Sequence, residues 1–178
     1  MQITKLNEAG YAEALRGIAL SYNQPLDNMP AVAARLCHQD GGHNKFLESM
    51  VVWFEIRAPR YWWQQMDTYR TGTSKQSEST MHTLLKRPLT QDDFAAPLHP
   101  ETLQRLNQLL ADKQFEPLKN ELPEGFLQRR IVCANYKTLR NIILQRRSHR
   151  LPEWPEFIRE VLRQVAHPEL LPPLRDSE

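Results

Sequence analysis

MVVWFEIRAPRYWWQQMDTYR, residues 50–70, changes its repeat half-way along. Over residues 50–57, Met50, Val52, Phe54 and Ile56 alternate with Val51, Trp53, Glu55 and Arg57. That is the two-residue period of a strand, with β-branched and aromatic filling. Pro59 ends the strand and pre-sets the first turn of a helix through Arg70. On that helix Trp62, Trp63, Met66 and either Tyr69 or Arg70 share one face.

Upstream, Ala12, Leu15, Ile18 and Ala19 predict an amphipathic helix over residues 9–22. A second helix is expected from Asn28 to His38, opened by Pro30 and ended by Gly41-Gly42. Downstream, residues 71–80 hold no apolar side chain and read as a solvated loop. Residues 81–86 suggest a short second strand, and Pro88, Pro97 and Pro100 bracket a connector containing Asp92-Asp93. Helices are expected at 100–112, 126–149 and 153–166, the last with Pro155 in its opening turn. The fold class is therefore α+β: a mostly helical single domain, residues 1–178, around a small antiparallel or mixed sheet.

Composition bounds the function. The 178 residues are 40% apolar and 25% charged, which suits a globular domain with a real core. No apolar run approaches the roughly 20 residues of a membrane span, and the N-terminus shows no signal-peptide core. A cytoplasmic protein is expected. The net charge of +2 argues against broad polyanion coating. Two cysteines, Cys37 and Cys133, make neither a disulfide framework nor a zinc site alone. The six histidines include no metal-ligand spacing such as HExxH, so no metal is expected. A Ser-His-Asp elbow, a Walker loop and a Rossmann fingerprint are all absent.

The sharpest local signal is residues 129–150, with Arg129, Arg130, Lys137, Arg140, Arg146, Arg147 and Arg150 and no acidic residue. A solvated helix face is one reading. Leu139, Ile142 and Ile143, however, define an inward stripe whose next position is Arg146. A buried guanidinium needs an anion, either a protein carboxylate or a ligand phosphate or carboxylate. The aromatic group Trp53, Tyr61, Trp62, Trp63 and Tyr69 suits core packing, a subunit interface or a planar ligand. Both cysteines lie in apolar contexts, where a thiol behaves as a small core residue.

The order of these pieces resembles the flavin-dependent thymidylate synthases. That family runs a histidine-containing segment into a strand, an Ala-Pro step, a helix containing RQW and the signature RHRxxSxNExSxRY. Here the corresponding text is GHNKFLES, MVVWFEIRAP, RYWWQQMDTYR and TGTSKQSESTM. NYKTLRNIILQRRSH is similar to the family helix built around NxRSLxNFLxLR. The likeness covers roughly His38 to Arg159, in a chain shorter than the family norm.

The resemblance implies a thymidylate synthase complementing protein-like fold and a set of site residues. Gln65 and Arg70 keep the family's glutamine and the arginine at the third signature position, which touch nucleotide and flavin. Thr68 and Tyr69 replace an arginine and a histidine that contact flavin, and Ser49 replaces a further flavin-contacting histidine. Thr73 stands at the signature serine, Lys75 and Gln76 at its Asn-Glu pair, Glu78 at its second serine, and Thr80 and Met81 at its final Arg-Tyr. Gln76 and Glu78 thereby fall at the expected base site. Asn135, Asn141 and Arg146 match positions tied to flavin or nucleotide phosphate, while Arg129 or Arg130 corresponds to an upstream substrate arginine. Asn141 lies about 140° around the helix from Arg146, at roughly 100° per residue, so it needs a second ligand or subunit.

In that family methylenetetrahydrofolate supplies a one-carbon unit, reduced FAD supplies hydride, and NADPH reduces the flavin; FMN is an alternative. The implied reaction is transfer of the unit to C5 of dUMP or dCMP, by methylation or hydroxymethylation, within a homotetramer that shares its sites. Two other readings stand beside it. One is a homologue that binds nucleotide or flavin without turnover. The other is a nucleic-acid-binding module built on the basic helix 129–150, whose binding would collapse with salt.

Overall fold

The computed structural model describes residues 1–174. Its strands are β1 (Gln2–Ala9), β2 (Val51–Pro59), β3 (Thr73–Ser77) and β4 (Leu127–Asn135). They form an antiparallel sheet in the order β1-β2-β4-β3. The helices are α1 (Tyr11–Tyr22), α2 (Met29–Leu36), α3 (Arg60–Met66), α4 (Thr80–Thr83), α5 (Pro100–Ala111), α6 (Phe115–Glu121), α7 (Tyr136–Arg146) and α8 (Glu153–Gln164). By contacts the chain divides into two compact units. The first comprises residues 1–2, 56–68 and 76–130; the second comprises 3–55, 69–75 and 131–174. Each of the four strands has residues in both units.

The β2 alternation is as expected: Val52, Phe54, Ile56 and Ala58 are buried, and their neighbours are half-buried. β1 carries no apolar alternation strong enough to announce it, and it went unread. Two further expectations fail on β3 and α4. Residues 71–80 contain the strand β3 and not only a loop. This polar segment ends the sheet order, and its flanks pair with β4 through Glu78 N to Arg129 O at 2.9 Å and Asn135 N to Gly72 O at 2.9 Å. An edge strand gains its backbone bonds without having to bury side chains. Residues 81–86, expected as a strand, continue instead from α4 into a 3-10 turn at Leu84–Lys86.

The expected helix over 126–149 is two elements. Residues 127–135 are β4, in which Val132 and Ala134 are buried; the helix α7 begins only at Tyr136. Leu127, Ile131, Val132 and Ala134 also satisfy a helical spacing, so periodicity alone could not separate the two states. Asn135 decides the boundary, because its side-chain oxygen accepts the Thr138 N–H at 2.8 Å and caps the helix. Likewise α3 stops at Met66, so Tyr69 and Arg70 lie beyond the helix that was expected to carry them.

In the first unit Trp62, Trp63 and Met66 of α3 are fully buried. The Trp63 indole donates to the Gln128 carbonyl at 2.9 Å. A second cluster joins Leu84, Leu89, Phe94, Leu106, Leu109, Leu118, Leu122 and Phe126. The connector ahead of α5 is fixed by Asp93, which accepts from both terminal nitrogens of Arg87 at 2.8 and 2.5 Å and closes a capping box with Thr90. In the second unit α1 packs on α2 and α7 on α8. Leu15 and Ile18, Ala33 and Leu36, Leu139 and Ile142, and Trp154 and Phe157 supply the apolar faces. Tyr136 is buried and donates its hydroxyl to Glu8 at 2.5 Å, tying the end of β1 to the start of α7.

Candidate functional site

Arg146 sits in an aromatic setting within the second unit. Its guanidinium carbon lies 4.9 Å from the Trp154 ring centroid and 5.6 Å from that of Tyr69. The two rings meet edge to face at 6.1 Å. Arg146 Nε donates to the Tyr69 hydroxyl at 2.8 Å, and that hydroxyl donates to Gln145 Oε1 at 2.9 Å. Packing a guanidinium against aromatic faces stabilises it. His149 stacks edgewise on the same Trp154 at 6.3 Å, and its Nδ1 accepts the Leu151 N–H. Burial, then the charges of Arg146 and Arg150, push the His149 pKa down, so the imidazole favours the neutral form. Sequence reasoning found Arg146 and Tyr69, but not Trp154, which comes from α8.

One sequence inference is corrected on this helix. Periodicity selected Arg146 as the buried cation, yet Arg146 is half-buried and the buried one is Arg140, at 7% exposure. The inward face of α7 is wider than a single stripe. It includes Tyr136 and Thr138 as well as Leu139, Ile142 and Ile143.

The segment 69–75 lies against the start of α7. Thr138 Oγ1 donates to the Thr71 carbonyl at 2.9 Å, and Thr73 Oγ1 and Lys75 Nζ both donate to the Tyr69 carbonyl, at 2.6 and 2.5 Å. Gly72 has φ +70°, and a Cβ there would lie 2.5 Å from both Asn135 Nδ2 and Thr138 Oγ1. Only glycine allows this approach. Asn135, a candidate cofactor residue, is thus also a structural cap. Arg70 is exposed, and Asn141 is half-buried with no side-chain hydrogen bond among the described residues.

Ser49 borders a cavity of about 750 Å³ in the same unit. One wall is the α1 face Glu13, Ala14, Gly17, Ile18, Ser21 and Tyr22; the other is Leu36, Gly41, Gly42, His43, Lys45 and Phe46. Ala14, Ile18, Leu36 and Phe46 make an apolar floor, with hydroxyls and charges at the rim. A cavity of this size and mixture is typical of sites for small organic ligands. Gly17 sharpens the point. It lies inside α1, where alanine would favour the helix by about 1 kcal/mol, and nothing stands within 4 Å of where its Cβ would be. Neither conformation nor crowding demands glycine there; its effect is open space.

The remaining sequence-selected residues lie in the first unit. Glu78 is half-buried, 3.6 Å from Arg129 Nε, while Gln76 is exposed and Gln65 half-buried. Arg130 is committed to protein partners. Its Nη1 donates to both Asp67 oxygens at 3.0 and 2.9 Å, its other nitrogens reach Gln128, and its guanidinium covers Trp63 at 4.4 Å. Within the second unit Arg140 pairs with Asp40 at 3.1 Å and Lys137 donates to Asn44. The acid-free stretch 129–150 is therefore matched in space by carboxylates distant in sequence: Glu78, Asp67 and Asp40.

The architecture has close counterparts among solved structures. A crystal structure of the flavin-dependent thymidylate synthase ThyX from Helicobacter pylori, complexed with FAD and dUMP, matches with a TM-score of 0.81 and 19% identity, over 96% of this chain and 98% of that one. This chain has the flavin-dependent thymidylate synthase fold. A second structure of the same Helicobacter pylori enzyme with FAD and dUMP matches at 0.79 and 20%, over 96% and 97% of the two chains. The two matches thus extend over nearly the whole of this chain and of each matched chain. No family model and no curated protein matches this sequence. Among the described residues, no helix is long and apolar enough to cross a membrane, and no group of three or more His, Cys, Asp or Glu could hold a metal.

Proposed function

We propose that this chain binds a flavin and a pyrimidine deoxynucleotide and transfers a one-carbon unit from methylenetetrahydrofolate to C5 of the pyrimidine. The observation that carries the reading is the half-buried Arg146 between Tyr69 and Trp154, on this fold and in the position implied for a phosphate contact. A guanidinium held beside aromatic rings presents a planar fork whose geometry matches a phosphate.

The residues present suit a flavin. The α1 cavity has room for a planar ring system, an apolar floor for its faces and Ser21, His43, Lys45 and Ser49 at its polar edge. Tyr69, Arg70, Asn135 and Asn141 are the further residues proposed to hold it. When bound, the flavin, as FAD or FMN and recharged by NADPH, supplies the hydride. The protein's own work is positional and electrostatic. Arg146 and Arg70 hold phosphate, and Arg129 adds a third cation. Gln65, Gln76 and Glu78 present an amide or carboxylate to the base edge, which suits dCMP as well as dUMP. Arg130 takes part through Asp67 and Trp63, by fixing the local strand geometry. Assembly as a homotetramer brings such residues together from neighbouring subunits.

The absorbance spectrum of the purified protein tests this first, followed by release of C5 deuterium from dUMP and dCMP with methylenetetrahydrofolate present. Flavin bands and release from either nucleotide are the expected results. A protein that stays colourless after reconstitution with FAD and FMN overturns the flavin reading.

One observation favours a second reading, nucleotide or flavin binding without turnover. Where the family signature places ligand-contacting side chains, Thr73 and Lys75 are bonded to the Tyr69 carbonyl, and the Tyr69 hydroxyl is bonded to Arg146 and Gln145. Under that reading the flavin bands appear and deuterium release does not.

A further inference from the structure

The loop between α2 and the 3-10 turn at Lys45–Glu48 forms one wall of the α1 cavity through Gly41, Gly42 and His43. Its own contacts are the Lys45 N–H donating to the Gly42 carbonyl at 3.1 Å and Asn44 Nδ2 donating to the Cys37 carbonyl at 3.5 Å. Gly41 and Gly42 both have positive φ, +72° and +91°, and nothing lies within 4 Å of where either Cβ would stand. The glycines serve the backbone turn and rest on no packed bed. What fixes the loop is α7. Lys137 donates to the buried Asn44 at one end, and Arg140, one helical turn further on, holds the other end. Arg140 Nη1 lies 3.1 Å from Asp40 Oδ1, and Nη2 donates to the His38 carbonyl at 3.3 Å.

Arg140 is an unusual residue for a merely structural pin. It is buried, and its Nε has no hydrogen-bond partner. Its carboxylate partner, by contrast, is 79% exposed. A buried cation is costly to keep where a methionine or leucine would fill the same space, so the ion pair has to return something. What it returns is the position of Asp40, immediately before the two glycines of the cavity wall. No other ion pair or side-chain hydrogen bond engages Asp40 among the described residues.

We propose that Arg140 is a positioning residue for the cavity. Its hold on Asp40 and on the His38 carbonyl sets the Gly41-Gly42-His43 wall against the α1 face, and so sets the affinity for the planar ring bound between them. The identity of that ring as a flavin rests on the function proposed above; the hold on the loop does not.

Asp40→Asn in the full chain tests it, because Asp40 is exposed and its replacement leaves the core intact. Binding of FMN and FAD is read by quenching of flavin fluorescence, and backbone exchange over residues 38–44 by mass spectrometry. Asp40→Asn is expected to weaken flavin binding about 3- to 10-fold and, by leaving the buried Arg140 charge without its carboxylate, to lower the melting temperature by a few degrees, while Asp40→Glu restores both. Exchange should quicken in 38–44 and not in α1. Unchanged flavin affinity in Asp40→Asn overturns the positioning role, whatever the exchange shows. Should the wild type itself take up no flavin, the flavin reading falls. The hold then stands or falls on exchange alone, with unchanged rates overturning it.

Discussion

Arg146 Nε donates to the Tyr69 hydroxyl at 2.8 Å, joining the last turn of α7 to a residue 77 positions earlier in the chain. The bond orients the guanidinium across the Trp154 ring. Arg146→Ala should therefore weaken dUMP or dCMP binding by roughly 10- to 100-fold, the worth of a charge-assisted hydrogen bond pair. Tyr69→Phe, which removes only the orienting hydroxyl, should cost less than about 10-fold. Calorimetric titration with each nucleotide measures both. Nucleotide affinity unchanged in Arg146→Ala would remove the phosphate role.

Gly72 permits the contact between the 69–75 segment and the helix cap. Gly72→Ala combines a disfavoured positive φ with a Cβ 2.5 Å from Asn135 Nδ2 and Thr138 Oγ1. The expected loss is about 1–3 kcal/mol of stability, more than the small gain alanine brings where the backbone suits it. Chemical denaturation reads this directly. Gly17→Ala is the contrasting case. It should leave stability equal or slightly improved, while a larger side chain such as Gly17→Leu, projecting into the cavity, should reduce flavin uptake.

Acid should loosen the Glu8–Tyr136 link. Burial raises the Glu8 pKa, but hydrogen bonds from Tyr136, the Ala166 N–H and Lys5 outweigh it and hold the carboxyl below its ordinary 4.5. Burial, then the Glu8 carboxylate, push the Tyr136 phenol upward, so it stays a donor throughout. A depressed carboxyl stabilises the fold above its unfolded pKa, and that stability is lost as pH falls through the folded value. The melting temperature should thus decline as pH drops below about 4.5, with a shallower decline in Glu8→Gln. Parallel curves for the two proteins would show that Glu8 does not carry the effect.

The connector ahead of α5 depends on one carboxylate. Asp93 accepts from Arg87 and Thr90, and these contacts hold its pKa down against the opposing effect of burial. Asp93→Ala should cost about 1–3 kcal/mol, by stranding the Arg87 charge and the Thr90 N–H. Urea denaturation monitored by tryptophan fluorescence would measure it, and a change below about 0.5 kcal/mol would contradict the assignment.

Legibility followed the range of the interaction. Residues 50–60 were readable because the strand period and Pro59 are local properties of the chain, and β2 and the start of α3 appear where they predicted. Residues 71–80 and 127–135 were not. β3 is a polar edge strand stabilised by backbone bonds to β4, and nothing in its side chains reports a partner more than fifty residues away. β4 satisfies helical and strand spacing alike, and pairing on both sides made the choice.

The same division runs through the candidate site. By itself the sequence determined the β2–α3 junction and the basic and aromatic inventory, which follow from local periodicity and residue chemistry. The tertiary structure alone decided which cation is buried, since Arg140 is enclosed and Arg146 lies between rings drawn from other elements. It alone also paired part of the acid-free stretch, by placing Glu78 beside Arg129, Asp67 beside Arg130 and Asp40 beside Arg140. Helical period specifies a direction around an axis. What stands in that direction is fixed only when distant segments pack, because burial and pairing are properties of the assembled core.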